Sequence, residues 1–238
     1  MLLLAMDTAT PAVTVALHGD DAGASDAPAP RLLAAAAQVD ARRHGELLLP
    51  AVDRVLGEAG RELDEVTGLV VGTGPGPYTG LRVGLVTAAA FGAARGIPVY
   101  GLCTLDGIAF AAASAAAGDS AGDLAGPFVV ATDARRKEVY WARYADRRTR
   151  VSGPAVDRPA DLPREVAELP AVGAGALLYP EIFTGARGEL PAHASAAALA
   201  ALAAERLAAG EELPAPRPQY LRRPDARVPA GYKAVTRA

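Results

Sequence analysis

The sequence predicts an α/β protein with two lobes of related topology, each with a sheet that mixes parallel and antiparallel strands flanked by helices. The first observation is that strand and helix patterns alternate along the 238 residues, of which 51% are hydrophobic. The second is a likeness between residues 3–17 (LLAMDTATPAVTVAL) and 129–143 (VVATDARRKEVYWAR), which align without gaps and place Asp7 on Asp133. Any two hairpins share some alternation, but we interpret the likeness as an internal duplication.

The first half of the chain predicts a strand meander followed by alternating helices and strands. Segment 2–7 is apolar up to its last residue, which is typical of a strand buried on both faces. Segment 31–40 is rich in alanine and could be a helix, but its place after two strands favours a third strand. An amphipathic helix begins near His44 and ends near Gly60, since its apolar residues recur at helical spacing. The other elements predicted here are a strand over 12–19, a buried strand before Gly72 and a helix ending near Arg95.

The second half predicts a shorter series of alternating strands and helices. A strand over 96–102 precedes a helix over 104–117, and segment 127–144 predicts the second hairpin. An alanine-rich helix over 194–210 ends at a glycine and leads into a proline-rich stretch.

Composition excludes several classes of function. The formal net charge is −3, so the chain lacks the positive field with which a protein binds nucleic acid by itself. Cys103 is the single cysteine, which excludes an internal disulfide and paired-cysteine metal motifs. No apolar run reaches the ~20 residues that a membrane helix needs. We therefore expect a cytoplasmic protein with no membrane contact, and a role with nucleic acid only through a partner.

The segment GTGPGPYTGLRVG, residues 72–84, resembles a phosphate-binding loop but lacks its main parts. It has no lysine of a Walker A motif, and Pro77 stands where a dinucleotide fingerprint needs glycine. Pro75 and Pro77 have no N–H to aim at an anion. The amides of Tyr78 and Thr79 at the start of the following helix remain free, so a weak phosphate contact stays open.

The helix after this loop carries small residues at every fourth position, namely Gly80, Gly84, Ala88 and Gly92. Such a stripe allows another backbone to approach closely. The neighbour is either the protein's own sheet or a helix of another subunit. The stripe supports both interpretations equally, and the second one includes the helix after His44 in the same interface.

Several of these segments carry a family likeness. The segments AMDTAT, RRHGELLLPAV, GTGPGPYTGLRVG, IPVYGLCTLDGIA, ATDARRKEVYWARY and PQYLR occur in this order. They resemble the TsaB (YeaZ) family over about residues 2–144 and again near 219–223, and the glycine–proline block is the most specific of them. The resemblance implies two RNase-H-like lobes of the actin/Hsp70/sugar-kinase type. It divides the chain into a first lobe over 1–108, completed by 216–238, and a smaller lobe over 109–215.

The resemblance also implies a function. Members of this family are regarded as non-catalytic partners of the related catalytic subunit TsaD. Together with the ATPase TsaE they form the complex that transfers threonylcarbamoyl to adenosine 37 of ANN-decoding tRNA. The resemblance therefore implies a TsaD homologue and a TsaE homologue as partners, contact with tRNA only through the complex, and a homodimer when the chain is alone.

The small-residue stripe and the resemblance together give the candidate site residues. The partner interface is predicted at His44, Leu48, Val52, Gly80, Arg82, Val83, Gly84, Thr87 and Ala88. A nucleotide or phosphate contact shared with a partner is predicted at Asp7, Thr8, Thr10, Gly76, Tyr78 and Thr79. We expect no cofactor of the chain's own, and ATP or ADP only if it is bound jointly with partners.

A catalytic centre is not expected. The two histidines with which TsaD holds a metal correspond here to Thr104 and Ile108, so no metal site is expected. Ala9 replaces the glycine of the phosphate turn in ATP-binding relatives. A stand-alone ATPase or kinase remains the alternative, since Asp7 and Asp133 could hold magnesium as a pair across a cleft. A protease is the least favoured interpretation, because HExxH does not occur and Cys103 is better explained as a small buried hydrophobic residue.

Overall fold

The computed structural model describes residues 1–19, 30–118, 124 and 126–222. These residues form two sheets. Within the described ranges, no helix is both long enough and apolar enough to cross a membrane. The strands are β1 (Leu2–Asp7), β2 (Ala12–Gly19), β3 (Arg31–Val39), β4 (Gly68–Gly72), β5 (Val99–Leu102), β6 (Phe128–Arg135), β7 (Glu138–Tyr144), β8 (Arg150–Asp157) and β9 (Ala171–Val172).

The first sheet has the strand order β3-β2-β1-β4-β5. Strands β1 to β3 form an antiparallel meander, whereas β4 and β5 add in parallel on the other side of β1. In the central strand β1, Ala5 pairs with Ala16 of β2 and with Val70 of β4. Segment 31–39 is a strand, as its place in the meander predicted.

The second sheet repeats the first in its order β8-β7-β6-β9. Here too an antiparallel meander, β6 to β8, is joined by a parallel strand beside its first member. Asp7 and Asp133 lie at corresponding places, near the carboxyl ends of β1 and β6. The predicted fold class, with two mixed sheets of related topology, is confirmed.

The helices are α1 (His44–Glu58), α2 (Tyr78–Arg95), α3 (Thr104–Gly118), α4 (Arg164–Ala167), α5 (Ala174–Leu178) and α6 (Ala196–Ala208). On one face of the first sheet, alternate residues of β1 such as Leu4 and Met6 pack against α1 and α2. On the other face, Leu3 and Ala5 pack against α6. Because helices cover both faces of β1, the strand is apolar up to its last residue, as is typical of an internal strand.

The position of α6 differs from the predicted grouping. The sequence predicted it in the second lobe, over 109–215, but its buried face packs on the first sheet against residues such as Leu3 and Val70. The second sheet is covered instead by α3 on one face and by α4 and α5 on the other. The prediction placed α6 in the second lobe because it follows the second hairpin in the sequence. In the structure the chain returns to the first sheet after the second sheet is complete. The lobe boundaries themselves stay a prediction.

The segment after α6, residues 211–222, forms what we call the C-terminal strap. It runs past the first sheet, where the N–H of Gly101 donates to the Pro214 carbonyl (2.8 Å) and the N–H of Gln219 donates to the Thr73 carbonyl (2.9 Å). It then reaches the second hairpin, where Arg222 pairs with Glu138. The strap thus contacts both sheets. Residues 223–238 of the predicted lobe-completing segment 216–238 lie outside the described residues.

Candidate functional site

The carboxylate of Asp7 is enclosed at the end of β1. Its side chain is fully buried. The N–H of Ala9 donates to Oδ1 (2.8 Å), and the hydroxyl of Thr104 at the start of α3 donates to Oδ2 (2.7 Å). Burial raises the pKa of Asp7 from its ordinary 3.8 to about 6, although both hydrogen bonds lower it. The residue is therefore part of the core packing and does not face a ligand site.

The hydroxyl of Thr8 connects β1 to the first turns of α2. It donates to the carbonyl of Gly80 (2.7 Å) and accepts from the N–H of Gly84 (2.9 Å). A Cβ at Gly80 would lie 2.9 Å from the Thr8 carbonyl oxygen, and one at Gly84 would lie 2.8 Å from its hydroxyl. Ala88 is fully buried in the same core. The small-residue stripe therefore packs on the chain's own first sheet and on the turn after β1, which corrects the interpretation of a stripe that faces another subunit.

The glycine–proline loop is packed on the turn that follows β1. A Cβ at Gly76 would overlap the carbonyl oxygen of Ala9. The N–H of Gly74 donates to the Thr104 hydroxyl (3.1 Å), and the N–H of Thr104 donates to the Gly74 carbonyl (2.8 Å). The loop thus covers the turn through which the predicted phosphate contact would be made. Asp7 and Gly76 are buried, so as predicted ligand contacts they are wrong.

Part of the predicted phosphate set does meet at a small pocket of about 220 Å³ beside the loop. Thr8, Thr10 and Thr79 line it from the first lobe, and Arg135 lines it from the second hairpin. Tyr78 is exposed but is not among the lining residues. Arg135 was missed as a site residue, because nothing in its sequence context shows that the second hairpin reaches this turn. The volume lies below the range typical of whole small-molecule ligands.

Six of the nine predicted interface residues are buried in the chain's own core: His44, Leu48, Val52, Gly80, Gly84 and Ala88. The ring of His44 illustrates the reason, since its Nε2 donates to the Thr10 carbonyl (2.8 Å) inside the fold. As described, these six side chains have no surface to offer a partner, so the prediction is corrected at these positions. Arg82 is exposed and Val83 and Thr87 are half-buried, so these three stay predictions.

The outward surface of α1 and α2 carries apolar residues that were not among the predicted site residues. Val86 on α2 is 65% exposed, and Leu49 on α1 is 50% exposed. After Val86 the outward positions of α2 hold alanines at 89, 90, 93 and 94, and charged residues stand only at Arg82, one turn earlier, and at Arg95. Both large residues stand out of phase with the buried stripe of their helix, and that signal could have identified them.

An exposed aromatic cluster marks the start of α2. The guanidinium of Arg82 lies 3.7 Å above the ring centre of Tyr78, and its Nε donates to the hydroxyl of Tyr220 (3.1 Å). The rings of Tyr78 and Tyr220 are 5.1 Å apart. The C-terminal strap is thereby fixed beside α2.

The positions corresponding to the metal ligands of TsaD hold non-ligating groups. The Thr104 hydroxyl is committed to Asp7, and Ile108 is fully buried in an apolar cluster. Across the described ranges, no three His, Cys, Asp or Glu side chains lie close enough to hold a metal ion. Burial raises the pKa of the Cys103 thiol to about 12.

The fold and this site define a class: a two-lobed α/β protein with a duplicated mixed sheet, whose first-strand carboxylate and glycine loop are used for internal packing. A profile of the family described as TsaD, tRNA N6-adenosine threonylcarbamoyltransferase, matches residues 36–230. The chain is 44% identical to the protein Rv3421c of Mycobacterium tuberculosis over 227 residues, covering 94% of this chain and 93% of that one.

Two further relatives carry more specific names. The tRNA threonylcarbamoyladenosine biosynthesis protein TsaB of Escherichia coli is 33% identical over 144 residues, which cover 60% of this chain and 55% of that protein. The solved structure of YeaZ from Pseudomonas aeruginosa superposes with a TM-score of 0.70 at 29% identity, covering 92% of this chain and 99% of that one. The chain belongs to the TsaD-like family and, within it, to the TsaB (YeaZ) group.

Proposed function

We propose that this chain is the TsaB-type subunit of a system that forms threonylcarbamoyladenosine in tRNA, and that it has no catalytic centre of its own. The family membership supports the pathway. The observation that carries the non-catalytic role is the enclosed carboxylate of Asp7, whose two oxygens are both occupied by donors of the chain itself. A fully buried carboxylate held in this way is not accessible to a metal ion or a substrate.

The proposed partner is a TsaD homologue, which docks on the outward surface of α1 and α2. The exposed apolar side chains Val86 and Leu49 support this surface, because large apolar groups exposed on neighbouring helices are typical of protein interfaces. A second copy of the chain uses the same surface when no partner is present. A TsaE homologue joins the complex, and tRNA is bound through the complex in the cytoplasm.

Reconstitution tests the proposal directly. TsaD and TsaE homologues from the same organism are mixed with an ANN-decoding tRNA, threonine, bicarbonate and ATP, together with the enzyme that forms the threonylcarbamoyl donor. Modified adenosine is then measured by mass spectrometry with and without this chain. We expect product to depend on the chain. Product formation that is the same in both mixtures would refute the proposed function.

A charge on the docking surface tests the interface separately. Val86→Glu should weaken the complex with the TsaD homologue at least about tenfold in gel filtration or calorimetry, because a carboxylate would be desolvated there. Val151→Glu is the matched control. It makes the same substitution at a residue that is 51% exposed on β8 of the second sheet, away from α2. Equal affinity of the two variants would place the interface elsewhere.

We further propose that the chain holds ATP or ADP only jointly with its partners. The pocket of about 220 Å³ with Thr8, Thr79 and Arg135 has room for a phosphate group but needs further walls for a nucleotide. The alternative of a stand-alone ATPase or kinase predicts that the purified chain hydrolyses ATP. If the isolated chain hydrolyses ATP and the Asp7→Asn variant does not, the chain is a stand-alone ATPase or kinase and our proposal is wrong.

A further inference from the structure

A second and larger pocket, of about 500 Å³, lies where the C-terminal strap crosses the first sheet. Its floor is formed by the carboxyl end of β5 at Gly101 and Leu102 and by the start of α3 at Asp106. Strap residues from Pro214 to Gln219 form one wall. The volume lies within the range of small-molecule sites, and crevices beyond the carboxyl ends of parallel strands are frequent ligand sites.

Positive charge is in excess around this pocket. Three guanidinium groups line it, those of Arg150, Arg206 and Arg217, against the single carboxylate of Asp106. The Asp106 carboxylate pairs with Arg150: its Oδ1 accepts from the guanidinium of Arg150 (3.1 Å) and from the hydroxyl of Tyr144 (2.8 Å). The pocket is thus positive although the whole chain is acidic.

Two of the three guanidinium groups have weak partners or none. Arg206 faces Glu211 at 4.0 Å, the long limit for an ion pair. Among the described residues, the side chain of Arg217 makes no hydrogen bond or ion pair. A guanidinium presents several N–H donors in a fixed plane, a geometry that matches carboxylate and phosphate oxygens. The spare hydrogen-bonding capacity of the wall is therefore suited to an oxyanion.

The strap also contributes an acceptor without a partner. The side-chain nitrogen of Gln219 donates to the Thr73 hydroxyl (3.1 Å), which fixes the orientation of the amide. Its oxygen Oε1 is buried and has no hydrogen-bond partner in the described part of the chain. A buried acceptor of this kind costs free energy unless a donor reaches it. A ligand that carries a hydroxyl or amine beside its oxyanion would satisfy both the acceptor and the arginines.

We propose that this pocket binds a small molecule with an oxyanion, a carboxylate or a phosphate group, next to a hydrogen-bond donor. Arg206 and Arg217 bind the oxyanion, and Gln219 accepts from the donor. The site is separate from the docking surface of α1 and α2 and from the small pocket at Thr8. Binding would also fasten the strap, since Arg217 and Gln219 both belong to it.

Calorimetry on the full chain, titrated separately with inorganic phosphate and with malonate at constant ionic strength, tests the proposal. Binding of either probe supports an oxyanion site, and the tighter probe indicates whether phosphate or carboxylate is the natural group. Arg217→Ala should weaken that binding about tenfold, the effect of one charged hydrogen bond. The matched control is Arg164→Ala, which removes the same charge from an exposed position on α4 and should bind like the parent chain.

Amide chemical shifts locate the bound probe. We expect shifts at Gly101–Asp106 and at the non-proline amides of the strap between Ala215 and Gln219. Three outcomes would overturn the proposal: no binding of either probe at millimolar concentration, equal weakening by Arg164→Ala, or shifts confined to the Thr8 and Thr79 amides at the small pocket.

Discussion

Replacing the buried carboxylate of β1 by its amide should make the protein more stable at neutral pH. In Asp7→Asn the side chain keeps its size and still accepts from the N–H of Ala9. The change also removes the charge that burial penalises. Its cost is local, because the new NH₂ group points at the Thr104 hydroxyl, which must turn to accept instead of donating.

The magnitude follows from the raised pKa of Asp7. A change from the ordinary 3.8 to about 6 means that the folded state favours the protonated acid by about 3 kcal/mol. This contribution to stability is complete below pH 3.8 and is lost as the pH rises through 6, because the folded chain binds the proton more tightly than the unfolded chain. The altered hydrogen bond costs about 1 kcal/mol at every pH. Asp7→Asn should therefore be about 2 kcal/mol more stable than the parent chain above pH 7 and about 1 kcal/mol less stable at pH 3.5, with a crossing near pH 4.5.

Urea unfolding of both chains at several pH values between 3.5 and 8 measures this difference, provided that the slope against urea is the same in each pair. The matched control is Asp133→Asn, which makes the same change at the corresponding place in the second sheet, where the carboxylate is 20% exposed. The gain at high pH should be confined to Asp7. A difference between Asp7→Asn and the parent chain that does not vary with pH would refute the reasoning. So would an Asp7→Asn chain that is less stable than the parent at pH 8.

Two further predictions concern the loop and the lone cysteine. Gly76→Ala should cost about 2 kcal/mol or more in thermal or urea unfolding, because its Cβ would overlap the Ala9 carbonyl; Gly57→Ala, with open space around the new methyl on α1, should be neutral or slightly stabilising. If Gly76→Ala is equally harmless, the loop is not packed on the turn as described. Cys103 should react with iodoacetamide at pH 8 about a thousandfold more slowly in the folded chain than in urea, because a pKa of about 12 leaves little thiolate. Labelling of the native chain at the unfolded rate would show that the thiol is not buried.

The sheets and long helices could be predicted from the sequence because their signals are local. The apolar run of β1, the alternation in β2 and the limits of α2 between Pro77 and Gly96 each follow from neighbouring residues. The duplicated hairpin was visible in the same way. These signals also identified the family, since its most specific segment is the loop that starts α2.

What the stripe on α2 faces could not be predicted in this way. Helical spacing shows that Gly80, Gly84 and Ala88 share a face, but a sheet and a partner helix both accept small residues there. The contact with Thr8 is separated from Gly84 by 76 residues of chain, and only the fold brings the two together. The larger pocket was invisible for the same reason, because its lining comes from β5, α3, β8, α6 and the strap.

The contacts at Thr8 also bear on how this subunit acts. Thr8 bonds to Gly80 and Gly84, and the loop that precedes α2 rests on the turn after β1, so this turn sets the position of α2. The outward surface of that helix carries Val86, the centre of the proposed docking surface. A change at the turn should consequently alter partner affinity before it alters any chemistry.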